Sequence, residues 1–163
     1  MSESVTIRLA KENMKFSAAH FTIFNASERE RLHGHNFRVE VDIEARMLGN
    51  GMCFDYGIYK DRIVALCREL NEWTILPTRS QHLRIEEDGE QVFALFDNQR
   101  IPFLRADVLL LPIENATLEE FAAWFLARLG EDSEALRAHR IDAIEVRVFS
   151  GPGQSAGRKM RFD

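Results

Sequence analysis

Over residues 36–46 the chain reads N-F-R-V-E-V-D-I-E-A-R, with Phe37, Val39, Val41, Ile43 and Ala45 alternating with polar residues. Such alternation lines one side of an extended chain with apolar groups and predicts a half-buried strand with one wet face. Weaker alternation over residues 5–19 (Val5, Ile7, Leu9, then Phe16 and Ala18) is broken by Lys11-Glu12-Asn13 and predicts an antiparallel partner strand with a bulge or bend. After the turn signal Leu48-Gly49-Asn50-Gly51 the period changes. Ile58, Ile63, Leu66, Cys67 and Leu70 fall at helical spacing and predict a first helix over residues 58–70.

Residues 78–107 are polar and less regular, with Asp88-Gly89 as a hairpin turn between short runs at 83–85 and 92–96, which predicts an inserted hairpin or flap. Thr117-Leu-Glu-Glu120 has the pattern of a capping box, and Phe121, Trp124, Phe125 and Leu129 follow at core spacing before Gly130, so a second helix is predicted there. A short helix over 133–139, a third strand around Ile144, Val146 and Val148, and a fourth over 156–162 complete the order β-β-α-(insert)-α-β-β. That order predicts an α+β fold on an antiparallel sheet, with residues 1–163 as a single domain.

Composition narrows the function. Of 163 residues, 45% are hydrophobic and 29% charged, which is ordinary globular usage. The net charge is -5, and the basic residues form no stripe, which argues against nucleic acid as a partner. No apolar run approaches the length of a membrane helix and no leader pattern opens the chain, so a cytoplasmic protein without membrane contact is expected. Two cysteines, Cys53 and Cys67, show no metal or disulfide spacing and read as core residues of a protein in a reducing compartment.

The histidines carry the chemistry. His33 and His35 flank Gly34 and share the parity of Phe37 and Val39, so an extended backbone turns both to the apolar side. His20 has the parity of Phe16 and Ala18 on the partner strand. Three inward imidazoles with a fourth position open are the ligand set of catalytic zinc rather than structural zinc. His82 and His139 lie in polar surroundings and read as surface residues.

Taken together, Phe16-Ser-Ala-Ala-His20, Leu32-His-Gly-His-Asn36, Gly51-Met-Cys-Phe-Asp55, Leu76-Pro77 and Ala116-Thr-Leu-Glu119 resemble, in order, the landmarks of the 6-pyruvoyl-tetrahydropterin and 6-carboxy-tetrahydropterin synthase family. The resemblance implies a tunnelling fold: a four-stranded antiparallel sheet with two helices on one face, closed by several subunits into a β-barrel, in a homohexamer built as a dimer of trimers. It implies zinc on His20, His33 and His35 as Lewis acid and template, and a pterin substrate such as 7,8-dihydroneopterin triphosphate at a subunit interface.

Three departures bear on the reaction. Residues 21–32 hold no cysteine where the family's synthases carry one; Glu28-Arg-Glu-Arg-Leu32 stands there and looks like a branch with glutamate in its place. The implied reaction is then an aldolase-like cleavage to 6-hydroxymethyl-7,8-dihydropterin, with Glu30 as candidate base, Glu28 as the weaker candidate, and a solvated loop charge as the plain alternative. The family's Asp-His pair corresponds to Asn71-Glu72, which leaves Glu72 as a possible acid partner. The family's ring-anchoring glutamate corresponds to Ser150, whereas Glu119 matches the family's other glutamate, so Glu119 and Ser150 are the candidate substrate contacts. A member that binds a pterin or related small molecule without the family reaction is the competing expectation.

Overall fold

The computed structural model describes residues 3–162; Met1, Ser2 and Asp163, the ends of the predicted domain, lie outside the described residues. Its spine is the long strand read from the alternating segment. In chain order the elements are β1 (Ser4–Leu9), β2 (Lys15–His20), β3 (His33–Arg46), α1 (Gly57–Leu70), β4 (Trp73–Pro77), β5 (Arg84–Asp88), β6 (Gln91–Phe96), β7 (Gln99–Leu104), β8 (Val108–Leu111), α2 (Leu118–Leu129), α3 (Ser133–Ala138), β9 (Ile141–Gly151) and β10 (Gln154–Arg161). No helix among the described residues is long and apolar enough to cross a membrane.

β1 and β2 lie end to end along one edge of β3, with Leu9 opposite Val41 and Lys15 opposite Arg38. Residues between them loop out while the Val39 N–H donates to the Met14 carbonyl at 2.8 Å, so the predicted partner strand is present and its break is a wide bulge. β9 pairs with the other edge of β3, and β10 with β9, both antiparallel.

The sheet is larger than the four antiparallel strands expected. It has seven strands in the order β10-β9-β3-β2-β4-β8 with β1 beside β3, and β4 and β8 run parallel to β2. In one chain it is open, with β10, β1 and β8 as edge strands, so the barrel is not a feature of the single chain. β4 and β8 gave no alternation because both of their faces are covered. Ile75 and Leu111 pack into the main core, whereas Leu76 and Val108 belong to a second apolar cluster. Strands buried on two faces read as continuous apolar runs, and such short runs carry no period.

That second cluster is made by the insert. The expected hairpin around Asp88-Gly89 gains a third strand, giving the antiparallel sheet β5-β6-β7, and Val92, Ala94 and Phe96 of β6 pack with Leu76, Val108, Phe21 and Ile23. Asp97 and Asn98, both at positive φ, make the tight β6–β7 turn, a conformation that Asp and Asn tolerate better than most residues.

The two longer helices lie over the other face. Thr117 caps α2 by accepting the Glu120 N–H at 3.3 Å, while the Glu120 carboxylate reaches back to the Glu114 N–H at 2.8 Å and ties down the preceding loop. Phe121 and Phe125 descend from α2 onto Phe16 and Phe37, which stack at 4.9 Å between centroids; Phe121 meets both rings edge-on at 5.8 and 5.3 Å. All four rings are inaccessible to solvent or nearly so. Deleting one should cost on the order of 3–5 kcal/mol. Phe125→Ala, which leaves the histidines untouched, is expected to lower the free energy of unfolding in urea by that amount, and a loss below about 1 kcal/mol would mean that this aromatic stack does not hold helix to sheet.

Candidate active site

The pairing of β2 with β3 places His20 directly opposite His33 and Ala18 opposite His35, so all three imidazoles stand on the helix-covered face, just beyond the Phe16–Phe37 stack. Their candidate donor atoms lie within 4.8 Å of one another. Alternation sets the face, and the register of β2 against β3 brings the three rings together.

The backbone sets the tautomers. His20 Nδ1 lies 2.7 Å from the Ala116 carbonyl oxygen and His33 Nδ1 lies 2.6 Å from that of Arg31. A carbonyl only accepts, so in both rings Nδ1 carries the proton and Nε2 keeps its lone pair. His33 Nε2 and His35 Nε2 are 3.0 Å apart, and His20 Nε2 is buried without a hydrogen-bond partner. Lone pairs converging at such distances repel unless a proton or a cation lies among them. Burial holds the His20 pKa below the ordinary imidazole value, against the Ala116 hydrogen bond, which raises it. Two imidazoles with Nδ1 held by carbonyls, a third ring beside them and an orphaned His20 Nε2 fit a divalent metal ion, and these three residues could hold one.

Glu30 comes to the cluster on a small hairpin that continues from β2. The Phe24 N–H donates to the Glu28 carbonyl at 2.9 Å and the Glu30 N–H to the Thr22 carbonyl at 2.8 Å. Asn25 Oδ1 accepts the Ser27 and Glu28 N–H groups and forms the turn. On the outer side, Asn115 grips Ile23 through both backbone groups, at 3.1 and 2.7 Å. The Glu30 carboxylate accepts the Thr22 N–H at 3.0 Å and lies 3.9 Å from His33 Nε2. Partial burial acts to raise its pKa, but the Thr22 hydrogen bond and the nearby histidines outweigh burial, and the net value lies below the usual carboxylate range. The hairpin thus favours the ionised form of Glu30.

The histidines and Glu30 open into a cavity of about 310 Å³, and Glu119 and Ser150 are in its walls. Glu119 stands in the first turn of α2 and Ser150 near the end of β9. Glu72 is not among the lining residues. It is exposed, at positive φ in the turn from α1 into β4, with its N–H donated to the Ser17 carbonyl. Its neighbour Asn71 accepts the Ser17 N–H at 2.8 Å, so this turn fastens the start of β2.

Several wall residues escaped the sequence reading. Thr22 and Phe24 continue the parity of His20, a signal that was present but ended at the histidine. Gln154 and Ser155 arrive from the β9–β10 turn, and nothing in Gly153-Gln154-Ser155 marks them. His82 is exposed as expected, whereas His139 is partly buried, stacked on Phe54 at 5.2 Å and 3.4 Å from the Tyr59 hydroxyl. Cys53 and Cys67 are buried, and burial pushes the Cys67 thiol up to about 12, which leaves it inert.

Residues 8–159 match the family profile described as 6-pyruvoyl tetrahydropterin synthase. A protein of Methanocaldococcus jannaschii, provisionally named a 6-carboxy-5,6,7,8-tetrahydropterin synthase, is 29% identical over 144 residues, covering 88% of each chain. The crystal structure of 6-pyruvoyl tetrahydropterin synthase from Plasmodium vivax superposes with a TM-score of 0.92 at 28% identity, over 98% of this chain and 99% of that one. The Plasmodium falciparum enzyme gives 0.92 at 29% identity, over 99% and 100%. Two further structures of the P. vivax enzyme carry alanine or cysteine in place of a glutamate described as a catalytic residue. With the histidine cluster in place and the match running from β1 into β10, the chain belongs to the 6-pyruvoyl tetrahydropterin synthase family.

Proposed function

We propose that the protein is a zinc-dependent lyase of pterin biosynthesis that cleaves the side chain of a 7,8-dihydroneopterin-type substrate, as the free pterin or its triphosphate, towards 6-hydroxymethyl-7,8-dihydropterin. The observation that carries this reading is Glu30: an ionised carboxylate 3.9 Å from His33, at the wall of the histidine cavity, in a segment without cysteine. The glutamate described as catalytic in the P. vivax enzyme supports it.

His20, His33 and His35 would hold the zinc, whose Lewis acidity would stabilise negative charge on substrate side-chain oxygens. Glu30 accepts the proton of a side-chain hydroxyl. As that oxygen becomes a carbonyl, the adjacent carbon–carbon bond breaks, a two-carbon aldehyde leaves, and the bonding electrons pass into the conjugated dihydropterin ring. A proton returned to the ring-attached carbon gives the hydroxymethyl product, so no oxidant or reductant is needed. The Thr22 N–H aims the carboxylate, and the low pKa keeps it in the accepting form. Glu119 offers a carboxylate to ring N–H donors and Ser150 a hydroxyl beside it, both from the cavity wall. Glu72, exposed and outside this cavity, can serve as an acid only towards the cavity of a neighbouring subunit.

Assembly follows from the sheet ends. β10, exposed along most of its length, β1 and β8 each present one unpaired edge among the described residues, and edges of this kind can be satisfied by pairing with another chain. A homohexamer of stacked trimers is the assembly proposed.

Glu30→Gln keeps shape and hydrogen-bonding capacity but removes the proton acceptor. Turnover of whichever pterin the protein converts should fall about 100-fold or more with zinc content unchanged. Wild-type turnover in this variant, with loss in Glu72→Gln instead, would move the base. His33→Ala and His35→Ala should each lose the metal, since two imidazoles cannot hold a tight site; a full equivalent of zinc in both by metal analysis would remove them from the ligand set. In light scattering the protein should run at about six times the 18.8 kDa of one chain, and a monomer at micromolar concentration would refute the assembly.

A further inference from the structure

Arg29 is the residue before the candidate base, and its side chain is partly buried, with Nε inaccessible to solvent. It lies over the rings of Phe21 and Phe96, at 5.0 and 5.8 Å from their centroids, within cation–π range of both. One nitrogen donates to the Glu30 carbonyl at 2.9 Å and another to Gln99 Oε1 at 3.1 Å, while the buried Nε has no partner. Phe96 ends β6 and Gln99 begins β7, on either side of the Asp97–Asn98 turn. The guanidinium therefore joins two bodies: the hairpin bearing Glu30, and the inserted sheet packed on the back of β4 and β8.

We propose that Arg29 is a positioning residue, through which the inserted β5-β6-β7 sheet holds the backbone of Glu30 in place beside the histidines. The proposal rests on the reading of Glu30 as base and gives residues 78–107 a part in the reaction. Glu30 is held from two directions. Thr22 fixes its N–H and its carboxylate from the β2 side, and Arg29 fixes its carbonyl from the insert side. The Ile23–Arg29 bridge between the hairpin arms keeps both holds in one frame. Planarity matters here, since only a fork of fixed geometry meets a carbonyl and an amide oxygen while lying on two rings; a lysine ammonium cannot. The orphaned Nε is the cost of that placement, and a guanidinium used only to cover apolar rings would not need to face the Glu30 carbonyl.

The test uses Arg29→Met, which keeps an apolar stem and removes both hydrogen bonds, and Gln99→Leu, which cuts the insert side alone. Small misplacements of a reacting group cost up to about 100-fold, so kcat of Arg29→Met should fall about 10- to 100-fold with KM within about threefold and zinc content at wild type. Gln99→Leu should shift kcat in the same direction by less. On a Glu30→Gln background, Arg29→Met should cost no more than about twofold further, because both changes disable one device. Amide hydrogen exchange at Thr22 and Glu30 should accelerate in both single variants. Unchanged kcat with only a lowered melting temperature, or full additivity with Glu30→Gln, would reduce Arg29 to a structural role and overturn the proposal. Should Glu30→Gln itself prove neutral, the base assignment fails. The amide exchange then still decides the tie, since unchanged protection in Arg29→Met and Gln99→Leu shows that the insert does not hold the hairpin.

Discussion

Every part of the site depends on the register of β2 against β3. Because side chains alternate across a strand, a slip of one residue would turn His20, Phe16 and Ala18 to the opposite face of the sheet and leave His33 and His35 without their third partner. The register is held from several sides. Phe16 stacks on Phe37 under α2, the Met14 carbonyl accepts the Val39 N–H at the bulge, and Asn71 and Glu72 clasp the backbone of Ser17. The positions that resemblance would assign to proton transfer are thus occupied in this chain by a clamp on the strand that bears the first histidine.

Upon that frame, charge is managed by the backbone rather than by other side chains. Carbonyls of Ala116 and Arg31 fix the protons of two imidazoles, and the Thr22 N–H holds the carboxylate of Glu30. Peptide groups do not titrate and lose little freedom when they bind, so a polar cluster built on them is organised before any ligand arrives. The Thr22 hydrogen bonds favour the ionised form of Glu30, whereas it is burial, against the Ala116 hydrogen bond, that favours the neutral form of His20.

The sequence made most of this legible where a period of two or of 3.6 was present. The alternation of β3 gave its face, and that face gave His33 and His35. Thr117 and Gly130 gave the ends of α2, and the break at Lys11-Glu12-Asn13 gave the bulge. Trp73–Pro77 and Val108–Leu111 stayed hidden because covering them on both sides erased the alternation, and the covering layer was the insert, itself only half read. Within the site, His20 was legible on the alternation of β2, whereas Thr22 and Phe24 lie beyond the end of that strand, where alternation no longer implies a face. The place of Glu72 outside the cavity depends on a left-handed turn that no local pattern announces, and Gln154 and Ser155 are brought in because β9, to which their hairpin belongs, pairs with the distant β3.

The chain crosses from one apolar cluster to the other at the histidines: Phe16 and Ala18 belong to the main core, Phe21 and Ile23 to the cluster under the insert, and His20 stands between them. The imidazole nitrogens are thereby anchored in the larger unit, and the hairpin of Glu30 in the smaller. The residues that place the imidazoles and those that place the Glu30 hairpin therefore belong to different packing units, so the two parts of the site can be altered by different sets of residues.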